Sequence, residues 1–195
     1  LLFGAGADLK GEAFEKALDG LLALAGKRHD KNAKDAEALF YLAQAHLMRG
    51  EYRFSYDKGM FGAARDGANA KGYIETYLKQ HPEHGDAYFV LGMYNYYVDI
   101  LPTFAHFMRF LLFLPGGNRV EGLHQIERAA AEGALLGPIA KTILVEIYSG
   151  LEGRGADAIT VGEQLQRQFP TNDELAFKLA GIYSGPLIED RARAA

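Results

Sequence analysis

Six histidines and a scatter of carboxylates are the residues of this chain whose types could do chemistry. His81 and His84 flank Pro82-Glu83, and their spacing of three could give a metal ion two imidazole ligands. No neighbouring acidic or His cluster completes the set, so an inter-helix turn with two solvated histidines is the better reading. His106 and His124 fall on polar helix surfaces. Arg65, Asp66, Lys71 and Glu75, like Glu121, Glu127 and Arg128, read as ordinary solvated helix faces. No phosphate-cradling loop, nucleophile elbow or His-Glu-x-x-His motif is present, and Gly4-Ala5-Gly6 lacks the third glycine of a dinucleotide site. The absence of Cys removes disulfides, thiolate metal sites and a thiol nucleophile. A net charge of −4 argues against a nucleic-acid partner. The expectation is a non-enzymatic protein with no cofactor and no metal.

The elements that would position these residues are helices. Phe14, Ala17, Leu18, Leu21, Leu22 and Ala25 form one apolar stripe, with Asp8 as its N-cap. Ala36, Leu39, Phe40, Ala43 and Leu47 form a second, ended by Gly50. Tyr56, Met60, Ala63, Gly67, Ala70, Ile74 and Tyr77 alternate spacings of four and three, which describes one long helix ending before Pro82. A break near Gly67 is the alternative. Further helices are expected over 87–97 and 102–114, then from Asn118 to about Glu132, with Asn118 and Glu121 as a capping box. Helices over 139–149, 156–169 and 173–184 complete a set of nine with no strand, an all-α chain of 195 residues.

The chain also repeats itself. Residues 38–43, 87–92, 140–145 and 175–180 align, each with a Leu followed by a small or β-branched residue. Pro82 and Pro170 each lie twelve residues after an alanine, Ala70 and Ala158. On these residues the sequence resembles the tetratricopeptide repeat, a helix–turn–helix unit of ~34 residues with small residues at fixed packing positions. The match is best over 36–52, where Gly50-Glu51-Tyr52 makes the turn. Leu144 to Leu179 spans 35 residues, close to one unit, whereas Leu42 to Leu91 spans 49 and Leu91 to Leu144 spans 53. The excess falls in Arg53 to about Gly67 and in Val98 to Gly117, read as two insertions. The insertions also resemble those of poorly characterised bacterial repeat proteins, many of them exported.

The resemblance implies a single domain over 1–195, a right-handed superhelical stack. A packing helix (8–27) would precede repeat 1 (36–82), repeat 2 (85–134, with an inserted apolar helix 102–114), repeat 3 (138–170) and the first helix of a fourth (173–184). His46 would stand where the family places Tyr. The concave face would present Phe40, Tyr41, Gln44 and Met48, then Phe89, Val90, Met93, Tyr96 and Tyr97, with Thr142, Glu146, Phe177 and Lys178 beyond. The function implied is a scaffold holding a protein or peptide partner in an aromatic groove. The same residues would be plain core if the inserted helix folded over them. Residues 101–114, with Phe104, Phe107, Phe110 and Phe113, are too short to span a bilayer. They suggest an alternative role as a peripheral membrane or hydrophobic-ligand carrier protein. The chain opens on Leu1, and its first residues read equally as the remnant of an export signal or as an arbitrary boundary.

Overall fold

The computed structural model describes residues 12–56, 59–102 and 113–185. Among the described residues are eight α-helices and no strand. They are α1 (Glu12–Lys31), α2 (Ala36–Ser55), α3 (Met60–Leu78), α4 (Gly85–Asp99), α5 (Arg119–Glu132), α6 (Gly137–Glu146), α7 (Gly155–Gln168) and α8 (Asp173–Tyr183). A π-helical turn, Ile147–Leu151, continues α6 toward α7. Local chemistry fixes several starts. Asp35, Asn118 and Asn172 each accept a hydrogen bond from the backbone N–H three residues on, satisfying a donor that the helix itself leaves unpaired.

Each helix packs on the next in chain order, most extensively α2 on α3 and α4 on α5, while α2 also reaches α4 and α4 reaches α6. One apolar cluster joins α2, α3 and α4 through Leu39, Ala43, Ala70, Ile74, Ala87 and Val90. A second joins α4 to α7 through Phe89, Tyr96, Ile126, Ile143, Ile147 and Ala158. A small third, Leu165, Leu175 and Leu179, holds α7 to α8. Helix α4 is shared by the two larger clusters and is buried from Gly85 to Tyr96 except at Tyr88. Burying most of its circumference explains why its sequence is apolar all round rather than in one stripe.

Several boundaries differ from the periodicity reading, each for a visible reason. Gly50 does not end α2. It lies inside the helix, buried against α3, where an added Cβ would stand 3.2 Å from the Ala63 carbonyl oxygen and 3.3 Å from the Asp66 Cβ. The glycine is there for close approach. The turn instead falls between Ser55 and Met60, so Tyr56 belongs to the end of α2 and Gly59, at φ +110°, carries the chain into α3. Helix α3 runs unbroken through Gly67. Helix α1 continues past Lys27 to Lys31. Asn118 caps α5, but the reciprocal half of the capping box is absent. The Asn118 N–H donates to the Asn95 carbonyl (3.0 Å), and the Glu121 carboxylate accepts from Gln125. Asp8 and residues 103–112, including Phe104, Phe107 and Phe110, lie outside the described residues.

Candidate binding face and buried ionic centre

Helix α2 sorts its side chains by spacing. Leu39, Leu42, Ala43 and His46 turn inward and are buried. Tyr41, Gln44, Met48 and Glu51, spaced three, four and three apart, form a second stripe that stays exposed or half-buried. Tyr97 at the end of α4 comes to the same side. Burial, then the Glu146 carboxylate on α6, then Glu51 on α2 push its hydroxyl up to about 12. Glu146 in turn accepts a hydrogen bond from Lys178 of α8 at 2.5 Å. Residues from α2, α4, α6 and α8 therefore share one face. Beneath it, the Gln44 Nε2 is fully buried with no hydrogen-bond partner among the described residues. Buried amide donors are normally satisfied, and this one would gain an acceptor only if the side chain turned outward.

Only part of the groove expected from sequence lies on this face. Tyr41, Gln44, Met48 and Tyr97 do. Phe40 is half-buried at the α3–α4 turn instead, its ring centroid 5.2 Å from Tyr77 and 4.9 Å from His84. Phe89, Met93 and Tyr96 are core, not lining: their spacing of four and three points them toward α5 and α6. The Tyr96 hydroxyl donates to Glu152 at 2.6 Å, and burial pushes that phenol up. Val90 is fully buried against α2 and α3. Thr142 donates to the Pro138 carbonyl within α6, and Phe177 is exposed on α8. Phe113 is exposed beyond the far end of α4.

The other concentrated chemistry lies between α2 and α3. Asp66, read from sequence as solvated, is 2% exposed. His46 places Nδ1 at 2.7 Å from its Oδ1, Arg49 donates to both carboxylate oxygens (2.7 and 3.1 Å), and Arg53 donates to Oδ2 at 2.5 Å. Burial alone would raise the carboxyl. The hydrogen bonds from His46 and Arg49 and the charges of Arg49 and Arg53 outweigh it, and the group sits below the ordinary Asp value. Tyr73 stacks on His46 at 5.6 Å and meets His29 of α1 edge-on at 5.4 Å, tying the first helix to the same centre. Both carboxylate oxygens are engaged, so the arrangement is one of cohesion rather than of a reactive group. A sequence signal was available: Asp66 is in phase with Ala70, Ile74 and Tyr77, the buried stripe of α3, and His46, Arg49 and Arg53 share one face of α2.

His81 and His84 both pack on the Tyr77 ring, and the Tyr77 hydroxyl lies 2.6 Å from His84 Nδ1. Buried Asp86 stands 3.6 Å from His84 Nε2 and accepts the backbone N–H of Leu135 and Leu136, fastening α4 to the turn before α6. Among the described residues no three His, Asp or Glu side chains are grouped to hold a metal ion, and no helix is long and apolar enough to cross a membrane. No protein-family model, curated protein or solved structure matches the chain. The fold therefore defines the class at the level of an all-helical stack, and function has to be argued from the faces of that stack.

Proposed function

We propose that this chain is a tetratricopeptide-like interaction module that acts by binding, holding an extended peptide segment on the face shared by α2, α4, α6 and α8. The stacking of helices in chain order supports the repeat reading. So do the small residues at crossing points, such as Ala43, Ala70, Gly92, Ala129 and Ala158, all buried. In such a stack the first helices of successive pairs line the concave side.

The observation that carries the binding role is the stripe of Tyr41, Gln44, Met48 and Glu51, left exposed or half-buried along one side of α2 with the Gln44 Nε2 unpaired beneath it. An extended peptide offers backbone carbonyls at every residue, which the Gln44 amide would meet by turning outward, while Tyr41 and Met48 supply adaptable apolar contact. A random peptide library displayed against the folded chain should yield ligands. Gln44→Leu should weaken them about tenfold, roughly the worth of one buried hydrogen bond, with helicity unchanged. A library that yields no ligand, or ligands indifferent to Gln44→Leu and to Tyr41→Ala, would refute this reading.

A further inference from the structure

We draw no further inference here: the strongest candidate, the open apolar groove between α7 and α8 lined by Gln166, Pro170 and Leu179, lies at the end of the stack next to residues 186–195, which are outside the described residues, and nothing in the structure shows what covers it.

Discussion

The helix pairs α2–α3 and α4–α5 have the same outline and opposite interiors. The first closes around a buried charge. Asp66 gathers His46, Arg49 and Arg53 from one face of α2, and Gly50 admits α3 close enough for those bonds to form. The second closes around missing side chains. A Cβ at Gly122 would stand 2.3 Å from the Tyr96 N, and one at Gly92 would stand 2.8 Å from the Gly122 carbonyl oxygen and from Ile126. Its polar contacts are led by the neutral pair of Asn95 and Gln125, at 2.9 Å. An ionic centre is directional and sensitive to pH. A glycine crossing depends on shape and is indifferent to pH. The stack thus uses two chemistries for one architectural task, and the proposed peptide face is built from helices of both pairs.

The largest effect expected of any change that breaks this contrast is at the glycine crossing. Gly122→Ala has no room without parting α4 from α5, and overpacking of this kind costs about 3 kcal/mol. Urea unfolding should show that loss equally at pH 7 and pH 4. Asp66→Ala comes next. Removing one partner of a buried ion pair costs about 3–5 kcal/mol, but Arg49 and Arg53 are a quarter and a third exposed and can turn to water, which reduces the expected loss to about 2 kcal/mol. Here pH does matter. The Asp66 pKa is lowered in the folded state from its ordinary 3.8, so its contribution is complete above that value and is lost as pH falls through the lower folded value. The stability gap between wild type and Asp66→Asn should therefore narrow as pH falls below about 4, in thermal melts on that acid limb. Smallest is Gly72→Ala, in α3 with nothing within 4 Å of the added Cβ. It should stabilise the protein by about 0.5–1 kcal/mol and raise the melting temperature.

The contrast also shows which features are legible in a sequence. Helix type and order follow from apolar periodicity, because each stripe must find a neighbour to bury it, and the structure is all-helical among its described residues. Glycine has two meanings that periodicity does not separate. Gly59 sits in the connection, whereas Gly50 and Gly67 are helix-crossing residues, and only the neighbours at 3.2–3.3 Å distinguish them. Charge has the same ambiguity. Asp66 beside Arg65 looks solvated until its phase with Ala70 and Ile74 is weighed against its type. A buried carboxylate needs partners twenty residues away, and those become visible only when α2 and α3 are placed together. The repeat resemblance implies a groove position for Phe89, Met93 and Tyr96, because a repeat stack lines its concave side with first helices. Helix α4 lies between two clusters, and those side chains go to the core instead.

The central claim, that peptides are held on the shared face of α2, α4, α6 and α8, is tested most directly by amide NMR. The 195-residue chain would be titrated with a library-selected peptide. The account predicts chemical-shift changes concentrated at residues 41–51, around Tyr97 and at 142–146, with the Gln44 side-chain amide among the largest. Changes centred on α1 or on α7, with Gln44 unmoved, would contradict it.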